Sequence, residues 1–327
     1  MKRRCIIALA IGLATSNTLF AQPGTITRYK EFTGYAVSQR GDTAIVLRSF
    51  FDNRLHKYLV VDPYSLRTSL VESSGVKATR LKRPRLLELF GNSPYVRTLK
   101  VAEYTSEKVK NAGVRRFQRL AGGVDLTIDL CPSMLPLDRE FFVELVKSLS
   151  MVQKPVPMAI SVTGTWMKGH SADFTWLLDR VKSGEIDVTW INHSYSHRVD
   201  KELPLNENFL LEKGTDIPNE ILRTEITMLE RGVVPSPFFR FPGLVSDKMV
   251  FDTVLSFGLI PIGTDAWIAK KQFPKLGSIV LVHANGNEPL GLKKFQKLLE
   301  TQRDSILAGK WMLYDLRESV STEEVSR

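Results

Sequence analysis

Val124-Asp-Leu-Thr-Ile-Asp129, running into Leu130-Cys-Pro132, is the stretch on which the fold turns. It is a short apolar run that ends on a lone carboxylate. Such a group does not serve packing; it is either a general base or the cap of the next helix. Towards the C-terminus the same pattern recurs. Strand-like runs over Met158–Val162, Ile186–Ile191, Phe238–Phe241, Leu259–Thr264, Ser278–His283 and Trp311–Asp315 alternate with amphipathic stretches over Arg139–Ser150, Phe174–Ser183, Asn219–Arg231, Asp247–Phe257 and Leu292–Leu307. Strands alternating with helices predict a parallel sheet with helical crossovers. Seven strands in one run predict a closed or nearly closed (β/α) barrel rather than an open sheet.

Towards the N-terminus the texture changes. Residues 22 to 118 hold short alternating segments, such as Thr43–Arg48 and Lys57–Asp62, with turn signals at Arg40-Gly41-Asp42 and Asp62-Pro63. They predict a small antiparallel β domain ahead of the barrel. The basic stretch carrying Lys77, Arg80, Lys82, Arg83 and Arg85 reads as a solvated surface, with a grip on an anionic polymer as the other reading. Residues 1 to 21 read as a secretory signal: Lys2, Arg3 and Arg4, an apolar run from Cys5 to Ala14 too short to span a bilayer, and Ala21 as the last residue before cleavage. The expected organisation is therefore a signal over 1–21, a β domain over 22–118, a barrel over 119–318 and a tail over 319–327.

The 327 residues are 43% hydrophobic and 24% charged, an ordinary globular balance that excludes disorder. Losing the signal removes three Lys/Arg and no acid, so the formal net charge of +10 falls to +7. A basic exported protein is drawn to anionic wall polymer or lipid, and export makes nucleic acid an unsuitable partner. No later segment is apolar and long enough to cross a membrane. Of the two cysteines, Cys5 lies in the signal and Cys131 stands alone, so no internal disulfide forms. Cys131 reads as a small buried side chain, with a place lining the site as the alternative.

Three of the five histidines fall at predicted strand ends. His193 and His197 follow the third strand, and a spacing of four predicts one face of a helical turn, suited to two ligands on one metal. Ser194 stands where a zincin has its glutamate, so this is a different kind of site. Arg240, in Phe238-Phe-Arg-Phe-Pro-Gly243, offers a fork that holds a carboxylate ionised. Asp265 and His283 end the fifth and sixth strands and form a candidate carboxylate–imidazole pair. In a parallel barrel all these ends open on one face, where barrel enzymes place their sites.

Taken in order, these motifs resemble those of the NodB-homology polysaccharide deacetylases, carbohydrate esterase family 4. Thr127-Ile-Asp129 resembles the first motif, His193-Ser-Tyr-Ser-His197 the HxxxH motif, Arg240-Phe-Pro-Gly243 the arginine–proline motif, Asp265-Ala-Trp267 the aspartate–tryptophan motif and Leu281-Val-His283 the closing leucine–histidine motif. The resemblance covers about residues 120 to 318. It implies a distorted seven-stranded barrel of the NodB type and the hydrolysis of N-acetyl groups on an exported glycan. It implies Asp129 as base, His193 and His197 as ligands of a divalent metal (zinc), Arg240 positioning the base, and Asp265 tuning the acid His283. The backbone N–H of Gly243 or Leu244 would bind the oxyanion, and Trp267 and Leu281 would wall the acetyl pocket. One position departs: the family's second aspartate, its third metal ligand, is here Leu130. That departure leaves open a glycan-binding barrel without hydrolysis, beside a hydrolase of another non-peptide C–N bond.

Overall fold

In the computed structural model, residues 24–117 and 122–322 are described; the expected signal over 1–21 and the end of the expected tail lie outside them. The first sheet is antiparallel, in the order β4-β3-β2-β1-β5. Its strands are β1 (Ile26–Ser38), β2 (Thr43–Asp52), β3 (Leu55–Val61), β4 (Thr68–Glu72) and β5 (Val76–Arg80). Two helices follow, α1 (Arg83–Leu89) and α2 (Pro94–Glu103), which the strand-based reading does not foresee. The signal for α2 is nevertheless present: Ser93 accepts from Val96 N ahead of Pro94 in the first turn.

The second sheet is parallel throughout and curls into an open barrel. Its strands are β6 (Gly122–Leu130), β7 (Val156–Val162), β8 (Ile186–Asn192), β9 (Phe238–Phe239), β10 (Ile260–Pro261), β11 (Ala266–Trp267), β12 (Ile279–His283) and β13 (Trp311–Leu313). They run in the order β10-β9-β8-β7-β6-β12-β11, with β13 paired to β6. Around them lie α3 (Arg139–Leu149), α4 (Gly164–Gly169), α5 (Ser171–Lys182), α6 (Ile217–Glu230), α7 (Lys248–Ser256), α8 (Pro289–Thr301), α9 (Arg303–Leu307) and α10 (Leu316–Thr322). The expected fold class is thus the observed one, a (β/α) barrel preceded by an antiparallel sheet. No helix of the described residues is long and apolar enough to cross a membrane.

Local chemistry explains the crossovers. Asp138, Asp216 and Asp247 cap α3, α6 and α7 by accepting from Phe141, Asn219 and Val250 N–H groups. Helix α3 turns Phe141, Phe142, Leu145 and Leu149 inward, where they meet Ile128, Leu130, Ile160 and Val162 from the outer face of the strands. Each such side chain taken from water contributes about 1.5–3 kcal/mol.

The two sheets share one hydrophobic core. A continuous core joins Ile45, Leu47 and Val61 of the first sheet to Val250, Val254 and Phe257 of the barrel. Within this contact Arg48, fully buried, donates through Nε and Nη2 to Glu225 at 2.6 and 2.8 Å and through Nη1 to the Phe257 carbonyl at 2.6 Å. Tyr29 donates to the same carboxylate at 2.9 Å.

The barrel is open between its end strands β10 and β11, and the chain entering it runs along that seam from β10 to the start of β12. Val114 donates to Pro261 O and accepts from Gly263 N, while Arg115 O accepts from Ile279 N and Phe117 N donates to Gly277 O. The Asn111 side chain bonds Thr264 at both N–H and carbonyl. Residues before the expected boundary at 118 therefore complete the barrel wall. At the other end, α10 crosses the expected boundary at 318, with Val320 in the core and Ser319 bonded to Asp125.

Candidate active site

Alternation along β6 decides what faces the barrel interior. Asp125, Thr127 and Asp129 point in, and Leu130 points out into the helical layer, fully buried. The next residue of inward phase is Cys131. Asp125 sits at the far end under Ser319, one full repeat below Thr127. Register carries the inward face across the sheet, since Asp129 pairs with His283 of β12 and Ser161 of β7.

Arg240 threads the interior, buried completely. Its Nη1 donates to Asp129 Oδ1 at 3.1 Å and Thr127 Oγ1 at 2.8 Å, and its Nη2 to the Gly263 carbonyl at 3.0 Å. Burial pulls the guanidinium below its ordinary value, against the pull of Asp129. Oδ2 of Asp129 faces His193 Nε2 at 3.7 Å.

His193 and His197 do not lie on a helical turn as expected. The segment after β8 is an irregular loop with left-handed backbone at Ser194 (φ 65°) and His197 (φ 45°). Tertiary bonds override the local i,i+4 geometry. Asn192 Oδ1 accepts from Ser194 N at 3.0 Å, and Glu220 Oε2 accepts from both Tyr195 N and Ser196 N at 2.8 Å. The Tyr195 ring lies against Gly164, where an added Cβ would come within 2.1 Å of it. The two imidazoles still meet, with ring centroids 4.8 Å apart.

His193 Nδ1 donates to the Arg240 carbonyl at 2.8 Å, which fixes the tautomer and leaves Nε2 as the lone-pair nitrogen. That nitrogen faces Cys131 Sγ at 3.5 Å. His197 Nε2 is buried without a hydrogen-bond partner. One donor atom each from Cys131, His193 and His197 lie within 4.8 Å of one another. Burial resists ionisation of the Cys131 thiol, but the imidazoles of His197 and His193 outweigh it and bring the thiol well below its ordinary value. Burial likewise opposes charge on His193, and Asp129 and Cys131 raise it overall.

His283 is buried beside this cluster, but Asp265 is not its partner. Asp265 faces Arg116 at 3.9 Å, and burial raises its carboxyl. The carboxylate at His283 is Glu288, whose Oε2 stands 2.9 Å from Nδ1 and also accepts from Trp267 Nε1 at 2.6 Å. Burial works against the imidazolium, yet Cys131 and Glu288 push His283 up to about 10. Burial raises Glu288 in turn, and His283 and Trp267 reverse this so that it stays below its ordinary value. Trp267 thus holds Glu288 as well as standing beside Leu281 on the neighbouring strand. Leu281 itself is buried and paired with Thr127.

The expected oxyanion donor at Leu244 is engaged, because its N–H donates to the Phe241 carbonyl at 2.9 Å. Gly243 has φ of 60° and packs on Phe209, where an added Cβ would come within 2.4 Å of the ring. That ring stands edge-on to His197, 5.6 Å between centroids. Sequence reasoning offered Cys131 only as lining the site, and it missed Glu288 as the carboxylate at His283 and Glu220 as the organiser of the histidine loop. Strand alternation from Asp129 carries a signal for Cys131; Glu288 and Glu220 reach the site from other elements with no spacing signal.

No protein-family model matches the chain. Among solved structures it is similar to a family 4 carbohydrate esterase from Bacillus anthracis, 16% identical over 68% of this chain and 91% of that one, TM-score 0.48. It is similar also to a family 4 pseudoenzyme from the same organism, 18% identical over 64% and 69%, TM-score 0.44, and to a mutant of a peptidoglycan deacetylase from Bacillus subtilis, 15% identical over 62% and 92%, TM-score 0.42. At these identities and scores the likeness assigns no residue and no substrate.

Proposed function

We propose that the chain is an exported hydrolase that removes N-acetyl or related acyl groups from an amino-sugar polysaccharide by metal-assisted general acid–base hydrolysis. One observation carries this reading: a buried carboxylate held by Arg240 and a buried imidazole backed by Glu288 flank the two histidines at one end of the barrel. The five-motif resemblance supplies the substrate class, and the N-terminal sequence supplies export. The site fits a metal on its own chemistry, since His193 presents a tautomer with Nε2 free to coordinate and the buried His197 Nε2 has no other partner. A divalent ion on His193 and His197, zinc by the nature of the donors, would polarise the amide carbonyl and acidify water.

The protein's own groups do the rest. Asp129, held in place by Arg240, takes the proton of the attacking water. His283, protonated at neutral pH, gives a proton to the departing amine. Glu288 holds the imidazolium, and Trp267 holds Glu288. The backbone N–H of Gly243 remains the candidate for the oxyanion. Trp267 and Leu281 wall the acetyl methyl. Acetate release from N-acetylated wall glycans tests the reading. Asp129→Asn and His283→Ala should each lose about a hundredfold or more in turnover while folding normally. Near-normal turnover in either variant overturns the roles, and ammonia or another acid in place of acetate points to a different C–N bond.

A further inference from the structure

We propose that Cys131 is the third metal ligand, so that the site is a thiolate–diimidazole centre rather than one completed by a carboxylate. The inference deepens the reading above and rests on it. The residue after Asp129 cannot serve, because strand alternation sends Leu130 into the helical layer. Cys131, the next inward residue, has its carbonyl bound by Asn285 Nδ2 at 2.5 Å, which fixes the main chain that carries the sulfur.

One pair already has the spacing of a metal site. With Zn–S of about 2.3 Å and Zn–N of about 2.0 Å, a tetrahedral centre sets sulfur and nitrogen ligands about 3.5 Å apart. Cys131 Sγ and His193 Nε2 are 3.5 Å apart. A second imidazole, His197, brings a donor atom to within 4.8 Å of both, and its buried Nε2 has no hydrogen-bond partner. A cysteine nucleophile activated by His193 would need only one of these imidazoles and would leave His197 unexplained. A thiolate also sorts metals: it favours zinc and cobalt over magnesium and manganese, which prefer oxygen ligands.

The test is cobalt and zinc binding by the full purified protein. Bound Co²⁺ should show a near-ultraviolet sulfur-to-cobalt charge-transfer band at one ion per chain. Cys131→Ser should lose the band and weaken zinc binding by about a hundredfold. Cys131→Asp should keep stoichiometric metal without the band, which also shows that the altered protein folds. If the wild type binds metal without the band and Cys131→Ser binds zinc as tightly, Cys131 is not a ligand and the histidine-held metal stands. If the wild type takes up no stoichiometric metal, the metal-assisted reading itself falls. Acyl release by metal-free protein that is abolished by alkylating Cys131 identifies a thiol nucleophile instead and overturns both.

Discussion

Replacing Glu288 by glutamine separates the observed acid pair from the one that spacing suggests. Glu288 Oε2 lies 2.9 Å from His283 Nδ1, in a contact where the imidazole is buried and the carboxylate half-buried. An opposite charge this close shifts a titrating group by about 1–3 pKa units. His283 stands at about 10 against an ordinary 6.5, with Cys131 and Asp129 sharing the support. With the Cys131 sulfur on an ion, as proposed, its charge would be shared and Glu288 would be the chief support of the imidazolium. Glu288→Gln should therefore lower His283 by about 1–2 units. As the proposed acid, His283 would act while protonated, so activity should be present below its pKa and lost above it. The alkaline limb of kcat/KM for acetate release should move down by that amount, with little change at neutral pH. The same sign governs stability. A raised histidine contributes fully below its unfolded value near 6.5 and loses the contribution as pH climbs towards 10. Asp265→Asn should leave the limb in place. An unmoved limb in Glu288→Gln, or a moved one in Asp265→Asn, refutes the assignment.

Two further outcomes follow from contacts remote from the reacting atoms. Glu220→Ala strips the acceptor from the N–H groups of Tyr195 and Ser196, so the histidine loop should loosen and zinc affinity fall by about 10–100-fold in a competition titration; unchanged affinity would mean the loop is held elsewhere. Arg48→Ala leaves the buried Glu225 without its counter-charge, a loss of about 3–5 kcal/mol in denaturant unfolding, whereas Arg48→Met with Glu225→Leu should regain most of it. A single variant within 1 kcal/mol of wild type, on the order of a surface pair, would contradict that burial.

The central barrel strands were legible because strands covered on both faces are built mainly of apolar residues, as β6, β7, β8 and β12 are. The expected strands over Phe238–Phe241 and Leu259–Thr264 shrink to two paired residues each, beside Pro242, Pro261 and Gly263, where the ladder loses a donor or turns away. Strand β11 is too short to show a period. The histidine spacing located the site and misjudged its conformation, because Glu220 from α6 rewards a left-handed loop over a helix. Charge partners are the least legible layer. Nothing in the spacing of Asp265 or Glu288 reveals which one turns towards His283.

The strip from Asn111 to Phe117 has a consequence for anyone dissecting this chain. It belongs by sequence to the leading segment and by hydrogen bonding to the barrel wall. A fragment begun at residue 119, the natural cut by pattern, would expose the edge of β10, the start of β12 and the apolar neighbours of Val114 and Phe117. Raw parallel edges of that kind pair with other copies. The smallest soluble piece that keeps the barrel should therefore start ahead of Asn111, and a shorter one should come out of solution as aggregate.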